Sequence, residues 1–254
     1  MAFTDEQLER YARHVVLREV GGPGQQALMR ARVLVIGAGG LGSPVILYLA
    51  AAGVGTIGVV DDDAVSLSNL QRQVIHRTAD IGRPKTESAK DAVAALNPDV
   101  AIVEHRVRLA ADNAADLIAQ YDIVAHGCDN FTTRLIVNDV CVRLRKPLVS
   151  AALSQFEGQL ATFKPYAGAD LPCYRCFVPE PPQGIANCAE AGILGAVAGV
   201  MGTWQAVEVM KEIIGLGDGL AGKLLLFDAL SARTRLVRLR RDPDCPACGN
   251  IRRD

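Results

Sequence analysis

Aromatic residues are scarce in this sequence: one tryptophan, six phenylalanines and five tyrosines among 254 residues, against 24 glycines. A core built with so few large rings must come from branched aliphatics, alanine and glycine, which suits helices packed closely on a sheet. There is no excess of either charge, with 27 Lys and Arg against 28 Asp and Glu. That balance excludes the basic field that holds nucleic acid nonspecifically. Met1-Ala2-Phe3-Thr4-Asp5-Glu6-Gln7 is short of apolar residues, polar and acidic where a secretory signal would need a basic start and an apolar stretch, so the expected location is cytoplasmic. The longest tempting apolar run, Ala191 to Val207, has seventeen residues without a charge. At about 1.5 Å per residue it falls short of a bilayer's hydrocarbon core, and no membrane is expected as a partner. Nor is there an internal repeat, a Ser-His-Asp arrangement or a phosphate-loop signature. Gly42 is followed by Ser43 and Pro44 where that loop needs Lys and then Ser or Thr, which excludes Walker-type ATPase chemistry.

What remains is half hydrophobic and long enough to bury one large core or two modest ones. Val33-Leu34-Val35-Ile36 reads as a strand that breaks into Gly37-Ala38-Gly39-Gly40-Leu41-Gly42 and continues as an apolar helix from about Pro44 to Ala52. Gly37, Gly39 and Gly42 satisfy G-x-G-x-x-G: a tight turn, backbone approach to phosphate, and close helix–strand packing. Asp61 ends a second strand, Thr56 to Val60, nineteen residues beyond Gly42, where a carboxylate suits ribose hydroxyls. Dinucleotide oxidoreductases, methyltransferases and adenylating enzymes all use such a turn, so the fold does not choose among them.

Thr4 to Val20 reads as an amphipathic helix ended by Gly21-Gly22-Pro23-Gly24. After Asp61 a long polar passage, residues 62 to 73, stands where a crossover helix would normally begin, and such loops inside compact domains are functional or disordered. A helix is expected from Pro84 and Lys85 to just before Asn97-Pro98. A strand from Ala101 to Val107, a helix from Asp112 to Gln120, a strand from Tyr121 to Gly127, a helix from Thr132 to Arg145 and a strand from Pro147 to Ala151 continue the alternation. Beyond Ser154 the pattern changes: a strand from Gly158 to Lys164, a proline-rich loop, a long Gly/Ala helix, and strands at Lys223 to Phe227 and Thr234 to Leu239. Without crossover helices these are expected as antiparallel additions. Gly192, Gly195, Gly199 and Gly202 would let the long helix approach a sheet or a second subunit closely. The fold class is therefore α/β, a Rossmann-like doubly wound sheet extended by antiparallel strands.

Four of the seven cysteines form two Cys-x-x-Cys pairs, Cys173 with Cys176 and Cys245 with Cys248. Two such pairs are the spacing of a four-thiolate structural Zn2+ site, a zinc knuckle that ties the tail onto the core; a redox pair is the alternative. Cys128 and Cys141 read as buried inert thiols. Cys188 lies in the loop before the long helix, either an exposed thiol or a structural one. Arg72 and Lys85 bracket the polar passage and suit a triphosphate, although a solvated surface is the common fate of such residues. Asp129 ends a strand, where it can hold magnesium or cap the next helix. His76, His105 and His126 read as structural.

The glycine turn, Asp61 and Asp63, Ser68-Asn69-Leu70-Gln71-Arg72-Gln73, Lys85, Cys128-Asp129-Asn130 and both cysteine pairs together resemble the MoeB/ThiF family, bacterial relatives of ubiquitin-activating enzymes. The resemblance runs in order through nearly the whole chain. It implies a single adenylation domain over residues 1–254, with a helical arm (1–30), a nucleotide-binding core (31–152) and an antiparallel extension carrying the crossover loop and zinc site (153–254). It implies ATP and Mg2+, and adenylation of the C-terminal glycine of a β-grasp sulfur-carrier protein ending in Gly-Gly. By position, Gly37, Gly39, Gly40, Gly42, Asp61, Asp63, Ser68, Asn69, Leu70, Gln71, Arg72, Lys85, Asp129 and Asn130 would hold the nucleotide, with Asp129 on magnesium. Arg13 would reach the triphosphate of the neighbouring subunit of a homodimer, with Arg72, Lys85 and Asp129 completing the catalytic set. Cys188 matches a position where some relatives bond covalently with the carrier or donor. His14 departs from the glutamine that commonly follows the family's arginine. The chain ends six residues after Cys248, so sulfur is expected from a separate donor protein. The molybdopterin-synthase carrier is favoured over the thiamin-thiazole carrier by the whole-length resemblance, including Ser150-Ala151-Ala152 and Cys173-Tyr174-Arg175-Cys176. An NAD-linked oxidoreductase and a noncatalytic scaffold are the alternatives of other classes.

Overall fold

The computed structural model describes residues 3–128, 130–181 and 192–250. Eight strands form one sheet in the order β3-β2-β1-β4-β5-β6-β7-β8. They are β1 (Arg32–Ile36), β2 (Thr56–Val60), β3 (Ala101–His105), β4 (Ile123–His126), β5 (Leu148–Ser154), β6 (Glu157–Phe163), β7 (Lys223–Asp228) and β8 (Arg233–Arg238). The first five run parallel and β5 through β8 pair antiparallel, as the loss of crossover helices implies. Strand order reverses at β1, flanked by β2 and β4, so a crevice opens at the carboxyl ends there.

The central strands are apolar on both faces because helices cover both. Val33 and Val35 of β1 join one buried cluster and Leu34 and Ile36 the other. The first cluster packs under the helices α3 (Gly42–Ala51) and α4 (Lys85–Leu96) and a twenty-residue helix, Gly195–Ile214; the second lies toward α5 (Ala114–Ala119) and α6 (Phe131–Arg143). Counting the short turn Tyr174–Phe177 as α7, the long helix is α8. Among the described residues no helix is long and apolar enough to cross a membrane.

The amino-terminal arm corrects the sequence reading. Instead of one helix from Thr4 to Val20, the chain makes α1 (Asp5–Val15) and α2 (Gly21–Arg30), and the Gly-Gly-Pro-Gly segment opens the second helix rather than ending the first. Thr4 and Gln7 form a capping box at the start of α1. Gly21, at φ +58°, turns the chain, and Pro23 lies in a first turn where its missing N–H costs little. The small-residue stripe on α8 is also narrower than expected. A Cβ on Gly202 would lie 2.4 Å from Pro44 Cγ, and one on Gly195 would lie 2.2 Å from the Gln71 carbonyl. Gly192 precedes the helix and Gly199 meets nothing within 4 Å. The close approach is thus to the start of α3 and to the polar passage.

α8 is tied to the crevice by Gln205, whose Nε2 donates to the carbonyls of His126 (3.0 Å) and Val149 (2.9 Å). His126 itself is fully buried, and neither ring nitrogen has a partner among the described residues. Burial, reinforced by the charge of Arg134, pushes its imidazole well below the ordinary value, so it is neutral at pH 7. The unfolded chain binds the proton that the folded chain refuses, so stability is retained above the unfolded value near 6.5 and lost as pH falls below it. Unfolding free energies at pH 7.5 and 5.5 should therefore differ by up to about 1.4 kcal/mol from this group, and His126→Leu should flatten that dependence.

Candidate active site

The glycine turn is shaped by contacts only glycine permits. Gly37 takes φ +92°, and its N–H donates to the Val60 carbonyl at 2.8 Å. A Cβ on Gly42 would lie 1.8 Å from the Gly37 carbonyl oxygen. Ser43 then returns a hydroxyl to the Gly39 carbonyl at 2.7 Å, starting α3. Asp61, at the end of β2, accepts the Ala38 N–H at 2.8 Å on one oxygen and the Asp63 N–H at 2.9 Å on the other. Burial pushes its carboxyl up from the ordinary range, and the nearby Lys85 opposes that shift.

Lys85 is the first residue of α4 and only 5% exposed. Its Nζ donates to Asp63 Oδ2 at 2.7 Å and stands 3.9 Å from Asp61 Oδ1. A buried cation needs an anionic partner, and this one rests on the rim of a cavity. The polar passage contains a 3₁₀ turn, Leu67–Asn69, and the Asn69 carbonyl accepts the N–H groups of both Arg72 and Gln73. Arg72 reaches back to the Ser68 carbonyl at 3.1 Å, with its stem against Gly40.

These groups surround a cavity of about 760 Å³. Of the sequence-assigned residues, Gly37, Gly39, Gly40, Asp61, Asp63, Asn69, Arg72, Lys85 and Asn130 line it. Gly42, Ser68, Leu70, Gln71 and Arg13 do not. Gly42 packs beneath the turn, Gln71 abuts the start of α8, and Ser68 contributes its carbonyl to Arg72. Arg13 is exposed on α1. Asp129 and Cys188 lie outside the described residues. The cap of α6 is Asn130, whose side-chain oxygen accepts the Thr133 N–H at 3.1 Å.

The far half of the cavity was not legible in the sequence. Ser154, Glu157 and Gln159 come from the β5–β6 hairpin, and Tyr174, Phe177 and Leu224 from α7 and β7. They have no shared spacing: the antiparallel register of β5 and β6 brings Ser154, Glu157 and Gln159 to one wall, and α7 and β7 bring the others. Arg134 helps form that end, donating to the carbonyls of Cys128 (2.8 Å) and Ala151 (3.0 Å).

The four cysteines of the two pairs converge as expected. Their sulfurs all lie within 4.8 Å of one another, at 4.0 Å for Cys173–Cys176, 3.6 Å for Cys173–Cys245 and 3.4 Å for Cys176–Cys248. A tetrahedral Zn2+ with about 2.3 Å bonds to sulfur needs edges of about 3.8 Å, so the four thiols can hold one such ion. Cys176 is pushed down by its hydrogen bond with Cys173, which is pushed up by the same contact.

Comparison with known proteins decides the family. The ThiF family model matches residues 11–247. The chain belongs to the ThiF family. Among curated ThiF relatives, a "Sulfur carrier protein adenylyltransferase" of Thermus thermophilus is 48% identical over 98% of this chain and 94% of its own length. The "SAMP-activating enzyme E1" of Haloferax volcanii is 48% identical over 96% and 89%. The "Probable adenylyltransferase/sulfurtransferase MoeZ" of Mycobacterium tuberculosis is 50% identical over 96% of this chain, which spans 63% of that longer protein. Among solved structures, E. coli MccB with ATP superposes with a TM-score of 0.82 at 24% identity, covering 95% of this chain and 75% of that one. At that identity it shows a shared fold for this ThiF member.

Proposed function

We propose that this ThiF family protein adenylates the C-terminal glycine carboxylate of a β-grasp sulfur-carrier protein with ATP, releasing pyrophosphate and activating the carrier for sulfur transfer in molybdenum cofactor biosynthesis. The observation that carries this reading is the pairing of Lys85 with Asp61 and Asp63 at the glycine turn, inside a cavity that continues past the turn to the β5–β6 hairpin. One end suits a nucleotide and the other has room for a peptide tail. The names of the relatives support the same reaction.

The chemistry needs no general base. A terminal carboxylate, with a pKa of about 3.3 to 3.7, is ionised at neutral pH and attacks the α-phosphorus directly. One of its oxygens forms the new P–O bond while the bond to pyrophosphate breaks. The barrier lies in bringing anions together and in the charge on the leaving group. Lys85 can leave Asp63 for a phosphate oxygen, Arg72 lines the cavity with its stem at Gly40 and can turn its guanidinium from the Ser68 carbonyl to a phosphate, and the turn offers backbone N–H groups. Asp61 keeps the ribose. Mg2+ would be held by Asp129 and would neutralise phosphate charge when bound. Gly37, Gly39, Gly40, Asp63, Asn69 and Asn130 complete the nucleotide's surroundings; Gly42, Ser68, Leu70 and Gln71 shape the turn and the loop from behind.

Residues 1–254 act as one adenylation domain, supported by the unbroken eight-stranded sheet. It works as a homodimer in the cytoplasm, with Arg13 supplied to the neighbouring subunit's triphosphate. Support comes from exposed apolar side chains on adjacent elements: Tyr48 on α3, Val200 and Val207 on α8. Cys173, Cys176, Cys245 and Cys248 hold a structural Zn2+. A separate protein donates sulfur, and Cys188 is the candidate thiol for exchange with carrier or donor. Carrier-dependent exchange of radiolabelled pyrophosphate into ATP tests the reaction. It should require a carrier ending in Gly-Gly and collapse in Asp129→Ala; exchange unaffected by that substitution would contradict the proposal. Running it with the thiamin-thiazole carrier separates the two branches.

A further inference from the structure

Behind the glycine turn lies a residue that the reaction above does not use. His76 is 6% exposed, and both its ring nitrogens are engaged: Nε2 lies 3.0 Å from the Ala38 carbonyl, and Nδ1 lies 2.8 Å from Ser88 Oγ on α4. A carbonyl can only accept, so the proton sits on Nε2. Ser88 in turn lies 2.9 Å from Asp80 Oδ2, which also accepts the Arg77 N–H at 2.9 Å. The far end of the Ala38 residue is held too, because its N–H donates to Asp61. Ala38 is completely buried, whereas Gly37 and Gly39 on either side of it line the cavity.

We propose that His76 is a positioning residue for the nucleotide, acting through the Ala38–Gly39 peptide. That peptide is planar and trans, so its C=O and the following N–H point in opposite directions. Drawing the Ala38 carbonyl back to His76 turns the Gly39 N–H toward the cavity, where it can donate to a phosphate oxygen. Without the imidazole, the Ala38–Gly39 peptide loses that tether and can turn on its Gly39 side, where no Cβ restricts the backbone. Burial holds the imidazole below its ordinary value, with the Lys85 cation acting in the same direction and the Ala38 carbonyl against it. Asp61 and Asp80 are the anions that face it. The bond to Ala38 needs only the Nε2 proton, which the imidazolium and the Nε2–H tautomer both carry. This inference rests on the nucleotide reading of the cavity.

The test compares His76→Gln with His76→Asn by calorimetric titration with ATP, alongside the thermal midpoint of each. A glutamine amide can place its N–H near the position of Nε2 and restore the bond to Ala38; asparagine is one methylene shorter and reaches only toward Ser88. The expected result is ATP affinity within about threefold of wild type for His76→Gln and at least tenfold weaker for His76→Asn, at similar thermal midpoints. In steady state, the asparagine variant should raise the KM for ATP more than it lowers kcat. Ser88→Ala, which removes the support of Nδ1 together with the bond to Asp80 and leaves the imidazole in place, should weaken ATP several-fold and covers the case in which His76→Asn does not fold. Wild-type ATP affinity in His76→Asn or Ser88→Ala, or losses that merely follow the thermal midpoint in both His76 variants, would overturn the role of His76. Failure of the wild-type protein to bind ATP would overturn the nucleotide reading itself, and this inference with it.

Discussion

Lys85→Met should lower carrier-dependent pyrophosphate exchange by about 10²–10³-fold, the cost of removing one preorganised charge from a site of this kind, or about 2.7–4 kcal/mol. Methionine is unbranched and fills most of the buried position, so the main loss is of charge. Two consequences follow from the geometry. Asp63 loses its 2.7 Å partner, and Asp61 loses the cation that opposes the upward push of burial. Asp61 would then protonate at a higher pH and lose its hold on ribose, so the variant's ATP KM should rise most on the acidic side of neutrality. Exchange within about threefold of wild type would show that Lys85 is a structural ion-pair partner and not part of the phosphate site.

Cys245→Ser should strip the protein of zinc and destabilise it by more than about 3 kcal/mol, because loss of a structural metal belongs among the large single-residue effects. For a chain of this size, that corresponds to a fall of about 6–12 °C in the thermal midpoint. The reason is topological. Cys245 and Cys248 lie beyond β8, Cys173 caps α7 and Cys176 lies within it. Without an ion, the anchors of the described tail include the donations from Arg241 to the carbonyls of Cys248 and, at 3.2 Å, Ala169. The effect should reach the cavity as well, because Tyr174, directly beside Cys173, packs edge-on against Phe163 and His126. Metal analysis with differential scanning calorimetry measures both. A zinc-free variant with an unchanged midpoint would remove the metal from the stability of the fold.

The near half of the site was readable from the chain because it is local. The glycine turn, the strand-end carboxylate at Asp61 and the loop around Asn69 and Arg72 each carry a spacing that chain geometry enforces, and the fold brings them together at one strand end. Cysteine spacing worked for the same reason, since each pair must clamp one edge of a tetrahedron. The β5–β6 wall was hidden because Glu157 and Gln159 stand on an antiparallel hairpin whose register, Ser154 opposite Glu157 and Ala152 opposite Gln159, carries no motif of its own. The amino-terminal arm was misread because Gly-Gly-Pro-Gly is a breaker inside a helix and tolerable in a first turn, and nothing local distinguishes the two. Asn130 was read as a nucleotide ligand where the structure also shows a helix cap, an ambiguity inherent in a short polar side chain at a strand end.

The account stands on one covalent product. Incubated with ATP, Mg2+ and a carrier ending in Gly-Gly, the protein should yield a carrier whose intact mass increases by one adenylyl group, with pyrophosphate released in equal amount and none formed when the carrier's last glycine is deleted. A carrier of unchanged mass, with ADP and phosphate as the only nucleotide products, would contradict adenylation as the function of this site.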